Sequence, residues 1–340
     1  MIKNETVILE GRYRIIRCLA QRPRLNLYLG RRLPSVAEQA SPPWSDTDNQ
    51  VEQNYEPLVA IRELVLTGLA PHIRTLVEAA AFEEFVLPSV FGSSHLPTAG
   101  DRVWIEGERH YLVMQVSDAK MPRYEHATTL DALLLANATW PTWIHEEVAV
   151  EWVIQLSRMV ARLHHQGAIL GNITPASILV DGQQKTDWSP IMLPSWPPAP
   201  FYWKTTAIDV PLIYAEVFPI AESSEESVFT APELLHGSAD ERSDVYALGA
   251  ILYLLLTHFA PIASIRRQRA YIPISRRQRT STLVQERVDG LELIPLRFLN
   301  EDVPPLIEAV VLCALELEPT KRYPTAFALV EALEAIVGLH

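Results

Sequence analysis

Arg-Arg-Gln-Arg occurs twice, at 266–269 and 276–279, in a chain whose formal net charge is -12. The six residues between the copies include Tyr271, Ile272, Pro273 and Ile274, which add apolar area between two positive ends. That composition suits docking to an acidic protein surface or a phosphorylated segment, with Arg266, Arg267, Arg276 and Arg277 as the contacts. The plainer account is a solvated loop offsetting Glu286 and Asp289. A second basic pair, Arg22 and Arg24 around Pro23, could attract an anion or simply face solvent. A third stretch, "GAILGNITPASILV" at 167–180, reads as a tight loop entering a buried strand: Pro175 bends it and Ile178, Leu179 and Val180 anchor it. Its Asn172 carries an amide that takes up no proton near neutral pH. The two cysteines, Cys18 and Cys313, lie far apart in apolar segments. They offer neither a disulfide framework nor metal-ligand spacing and read as reduced core thiols.

The elements that must position these groups change character along the chain. Residues 11–30 alternate apolar and polar on either side of Gln-Arg-Pro-Arg, which predicts two antiparallel strands and a turn. Residues 34–57 are polar and aperiodic, an exposed insertion before a strand "LVAIREL". Residues 74–86 have helical spacing, and "DRVWIEGERHYLVMQV" predicts a hairpin turning at Glu106-Gly107-Glu108. From about residue 128 onward apolar residues recur at helical intervals in five successive segments. The reading is α+β, a strand-rich lobe followed by a helical one. A hydrophobic content of 48% with eight Trp is ample for a sizeable core.

Several of these segments, taken in order, resemble the eukaryotic-type protein kinase family over nearly the whole chain. "LVAIREL" resembles the strand carrying V-A-I-K, "YLVMQV" the strand entering the interlobe hinge, and "VARLHHQG" the helix before the catalytic loop. "FTAPELL" keeps A-P-E, "SDVYALGAILYLLL" resembles the following long helix, and "LELEPTKRYPTA" the segment that supplies an Arg to the A-P-E Glu. The resemblance implies a two-lobed fold over 11–338, with a small β-rich N-lobe at 1–117 and a larger helical C-lobe at 118–340. It further implies that Glu233 pairs with Arg322, that Asp244 holds the catalytic-loop backbone, and that His164 braces the same region.

Against the family's H-R-D-L-K-P-E-N, this chain has Leu170, Gly171, Asn172, Ile173, Thr174, Pro175, Ala176 and Ser177. Asn172 stands for the base, Thr174 for the assisting Lys, Ser177 for a metal-binding Asn, and Gly171 for the Arg that meets a phosphorylated activation loop. Leu170 can fill the apolar space of the family's His. Loss of a general base alone costs about 10²- to 10⁴-fold. The nucleotide positions are Ala20, Arg22, Leu27, Ala60, Arg62, Met114 and Leu179, with no glycine in the first turn and Arg62 in place of the V-A-I-K Lys. The partner of Arg62 is Glu83, Glu84 or Glu78. The D-F-G position is either Asp187-Trp188, which keeps a carboxylate for metal, or Ser195-Trp196, which does not; the flanks of Asp187 read as loop while "PIMLP" continues an apolar strand.

These replacements imply a pseudokinase, not an enzyme, that uses no ATP, Mg²⁺ or other cofactor and serves as a protein-binding scaffold or allosteric regulator in signalling. Its partner would be an active kinase or another signalling protein. The alternatives are an atypical Ser/Thr kinase or ATP-binding switch using Arg62 and Asp187 in altered geometry, and a small-molecule sensor lined by Ala60, Met114 and Leu179. The acidic balance disfavours nucleic acid as a partner. The opening residues lack a signal-peptide stretch and the longest apolar run is too short and interrupted for a membrane span, so the expected location is the cytoplasm.

Overall fold

The computed structural model describes residues 2–21, 24–33, 58–75, 103–115, 127–136, 144–165, 169–171, 173–181, 191–192, 229, 231–236, 240–259, 261 and 293–338. It is a mixed α+β structure whose described residues fall into two compact units, one drawn from Met1–Thr129 and the other from Leu130–His340.

The first unit is built on a six-stranded sheet in the order β1-β2-β3-β4-β6-β5, with every pair antiparallel. Its strands are β1 (Val7–Ile8), β2 (Tyr13–Gln21), β3 (Leu25–Arg32), β4 (Leu58–Val65), β5 (Val103–Glu106) and β6 (Arg109–Gln115). β2 and β3 flank the Gln-Arg-Pro-Arg break, and β5 and β6 turn at Gly107, whose φ of 62° suits the one residue without a Cβ. β3 and β4 are buried along nearly their whole length, and both edges of each are paired to neighbouring strands. One face carries the core: Leu9, Tyr13, Ile15, Tyr28, Val59, Ile61, Tyr111 and Val113 pack together. The backbone amide of Ile2 donates to the Tyr28 hydroxyl at 2.9 Å and ties the first residues to that face. β7 (Ala127–Thr129) closes the unit, and the Arg17 guanidinium donates to the Ala127 carbonyl.

The second unit is helical, with α1 (Leu130–Ala136), α2 (Glu146–His165), α3 (Glu241–Thr257), α4 (Leu296–Leu299), α5 (Pro305–Ala314) and α6 (Ala326–Val337). α2 opens on Glu146 and Glu147 and carries Arg162 in its last turn, charges that complement its dipole at each end. α3 is apolar all round and buried from Ser243 to Thr257, so it is the axis of this core. Asp240 caps it, its carboxylate accepting from the Arg242 amide at 2.8 Å. Gly249 lets α5 approach closely: a Cβ at that position would stand 2.7 Å from the Ala314 Cβ. Thr325 caps α6, its hydroxyl accepting from the Ala328 amide at 3.1 Å. The antiparallel pair β8 (Ile178–Asp181) and β9 (Ile191–Met192) follows the loop at 169–177, in the register Ile178 with Met192 and Leu179 with Ile191. Both cysteines are half-buried and neither is in a disulfide. No helix among the described residues is long and apolar enough to cross a membrane.

Candidate functional site

In the first unit, the alternation of β4 sorts the Val-Ala-Ile-Arg segment. Val59 and Ile61 join the core face, which sends Ala60 and Arg62 to the other. Arg62 is 4% exposed and lies directly between Leu27 on β3 and Leu112 on β6; Ala60 lies between Leu29 and Met114. A buried guanidinium attracts anions strongly, because little water competes for it. Ala20 stands at the far end of β2, in the strand that pairs with Leu27. Arg24 does not wait for an anion: its guanidinium donates to the carbonyls of Thr67 at 2.7 Å and Val65 at 3.4 Å, and so staples the turn to the end of β4. Arg22 lies outside the described residues, as do Glu78, Glu83 and Glu84.

Sequence reading missed Glu63. Its side chain is fully buried on the core face, and its carboxylate accepts from Asn26 Nδ2 at 2.7 Å, Tyr28 Oη at 2.8 Å, Tyr111 Oη at 3.3 Å and the Arg109 guanidinium. Burial alone would raise the carboxyl, but the hydrogen bonds from Asn26, Tyr28 and Arg109 and the Arg109 charge hold it below its usual range. Burial and the neighbouring carboxylate push the Tyr111 hydroxyl up to about 12 and that of Tyr28 further still. The available signal was the charged pair Arg62-Glu63 inside an apolar run, with polar residues spaced two apart at 26 and 28 and at 109 and 111.

In the second unit, the loop at 169–177 hangs on Asp244. Its carboxylate, fully buried in the first turn of α3, accepts from the amides of Leu170 at 2.8 Å and Gly171 at 2.6 Å and pairs with His164 Nε2 at 2.8 Å. A loop has no ladder to satisfy its amides, so a buried carboxylate substitutes for one. Gly171 has φ 65°, the left-handed region that favours glycine. The Ser177 hydroxyl accepts from the Thr174 amide at 3.1 Å and donates to the Thr174 carbonyl at 2.8 Å, which commits it to the turn at Pro175–Ser177. Thr174 and Leu179 are buried beside it. Asn172 lies outside the described residues. Asp187, Ser195 and Trp196 do too; in chain order Asp187 falls between β8 and β9, and Ser195 follows β9.

A second carboxylate hub stands at Glu233. Arg322 Nη1 and Nη2 meet Glu233 Oε1 and Oε2 at 2.7 and 2.8 Å, a bidentate pair, and Ser243 Oγ adds a third hydrogen bond at 2.7 Å. The rest of the Arg322 guanidinium donates to the carbonyls of Glu316 at 2.7 Å, Arg242 at 3.0 Å and Leu317 at 3.1 Å, and its carbon lies 4.9 Å from the centre of the Tyr246 ring. Burial acts to raise the Glu233 carboxyl, and the bonds from Arg322 and Ser243 bring it below its usual range. Arg266, Arg267, Arg276 and Arg277 lie outside the described residues.

Among the described residues no cluster of three His, Cys, Asp or Glu could hold a metal ion, and the Ser177 hydroxyl is engaged with Thr174; Asp187 lies outside those residues.

Comparison with known proteins gives the site its context. No protein-family model matches the chain. It is 35% identical over 114 residues to tyrosine-protein kinase MasK of Myxococcus xanthus, covering 33% of this chain and 16% of that one. Serine/threonine-protein kinase PknL of Mycobacterium tuberculosis is 33% identical over 111 residues, which are 32% of this chain and 24% of that protein. A probable serine/threonine-protein kinase of Clostridium perfringens is 22% identical over 247 residues, or 69% of this chain and 28% of the relative. These similarities support a kinase-like fold. The matched regions span 16 to 28% of the length of these relatives. They also correct one expectation. The replacements in the catalytic loop implied a protein that is not an enzyme, whereas the matched relatives carry the names of protein kinases and point to an enzyme. Composition of a loop weighs which groups are lost and is silent on how far the remaining geometry compensates.

Proposed function

We propose that the chain is an atypical protein-kinase-like phosphotransferase that takes a nucleotide triphosphate through its phosphates, with Arg62 as the cation and a protein hydroxyl as acceptor. The observation that carries this reading is the buried guanidinium of Arg62, on the face of β4 opposite the core, in a chain similar to protein kinases. Phosphoryl transfer runs through a loose transition state, so catalysis rests chiefly on positioning and charge neutralisation. A loop without a carboxylate base would then be slow rather than silent, by about 10²- to 10⁴-fold. Support for positioning comes from Asp244, which fixes the backbone at Leu170 and Gly171 immediately before Asn172. No step through a metal is assigned to Ser177.

The test is incubation of the purified protein with γ-labelled ATP and Mg²⁺ or Mn²⁺, alone and with generic protein acceptors. Incorporation that disappears in Arg62→Ala is the expected result. Absence of both label and nucleotide binding in the unaltered protein would overturn the reading.

A further inference from the structure

Glu63 is the only fully buried carboxylate among the described residues of the first unit, and it sits in an otherwise apolar face beside Tyr28, Ile61, Tyr111 and Val113. Burying a charge there is costly unless donors surround it. The backbone of β4 needs no such help, since β3 and β6 already pair with it on both sides. What the carboxylate does engage is side chains, two from each neighbour: Asn26 and Tyr28 on β3, Arg109 and Tyr111 on β6.

Those donors meet at one register only. Asn26, Glu63 and Tyr111 are directly opposite one another across the three strands. A shift of one residue would turn Glu63 to the other face and lose all four donors. The apolar part of β4, Leu58-Val59-Ala60-Ile61, is hydrophobic at every position and reads equally well either way up. Only the Arg62-Glu63 pair tells the faces apart, and the partners of Glu63 are spread over both adjoining strands.

We propose that Glu63 is a positioning residue: a register key for the central strands that keeps Arg62 on the face opposite the core. The inference rests on the phosphate-binding reading of Arg62 and adds to it the residue that presents the cation. Wild type, Arg62→Ala, Glu63→Gln and Arg109→Met would each be titrated with a fluorescent ATP analogue, well below their own melting temperatures, and the amide resonances of residues 58–65 recorded in the same samples. If loss of the key leaves about a fifth of the molecules in the competent register, Glu63→Gln weakens binding about five-fold and doubles the β4 resonances. Arg109→Met, which removes a half-exposed donor, shifts both readouts the same way by less, and decides the matter alone if Glu63→Gln does not fold. A merely structural Glu63 predicts a lower melting temperature with one set of β4 resonances and unchanged affinity. That result, beside lost binding in Arg62→Ala, overturns the register key and leaves the role of Arg62 standing. If instead Arg62→Ala binds as wild type, the phosphate reading falls. The β4 resonances then judge Glu63 alone, doubled for the key and single against it.

Discussion

Glu63 in the sheet and Asp244 in the helical unit are both fully buried carboxylates that accept from several donors, yet they hold different things. Asp244 holds backbone: two of its partners are the Leu170 and Gly171 amides, which have no ladder of their own. Glu63 holds side chains, on strands whose backbone is already paired. Glu233 belongs with Asp244, because its Arg322 partner binds the loop carbonyls of Glu316 and Leu317 and the Arg242 carbonyl in the first turn of α3 in addition to the carboxylate. A buried charge among helices and loops thus replaces missing hydrogen bonds, whereas one in a sheet chooses between pairings that would otherwise be nearly equal.

If this contrast is right, breaking a loop-holding hub should cost most. Arg322→Ala strands Glu233 and releases three carbonyls, and a loss of about 3 to 5 kcal/mol is expected in denaturant unfolding. A loss under about 1 kcal/mol would place that hub with ordinary surface pairs and undo the distinction.

Next in size is pH. The Glu233 carboxyl is depressed in the folded protein, so the stabilisation it brings is fully present above the unfolded value of about 4.3 and is lost as pH falls through the lower folded value. The melting-temperature gap between wild type and Glu233→Gln should therefore be widest near neutrality and narrow in acid. A gap that widens on acidification would contradict the sign.

Tyr28→Phe sharpens the other side of the comparison. It removes one donor to Glu63 and the acceptor of the Ile2 amide while the ladder survives, and about 1 kcal/mol is expected. Protection of the Ile2 amide from hydrogen exchange should fall with it. The smallest effect is assigned to the paired basic tetrapeptides: neutralising Arg266, Arg267, Arg276 and Arg277 should leave the melting temperature nearly unchanged while reducing the salt sensitivity of binding to an acidic peptide. Unaltered salt dependence would assign those arginines to solvent.

Much of the fold was legible because it is local. Alternation around Gln-Arg-Pro-Arg marks strands that the structure bounds at Tyr13–Gln21 and Leu25–Arg32, and the apolar spacing around 241–257 marks α3. The site was legible only in part. Arg62 drew notice through the motif around it, but Arg24, read as attracting an anion or facing solvent, is bound to carbonyls of Val65 and Thr67, 41 and 43 residues along the chain. Loop composition also argued against an enzyme, and kinase-named relatives overrule it.

By itself the sequence determined which segments are strands and which are helices, since apolar period depends on neighbours a few residues away. It also determined the stock of charged groups available for burial. Only the tertiary structure decided which of those charges meet. The donors of Glu63 come from positions 35 to 48 residues distant, and Glu233 finds Arg322 across 89. Strand register sets the first meeting and helix packing the second. Both are chosen by the summed free energy of whole surfaces, which no local stretch of sequence contains.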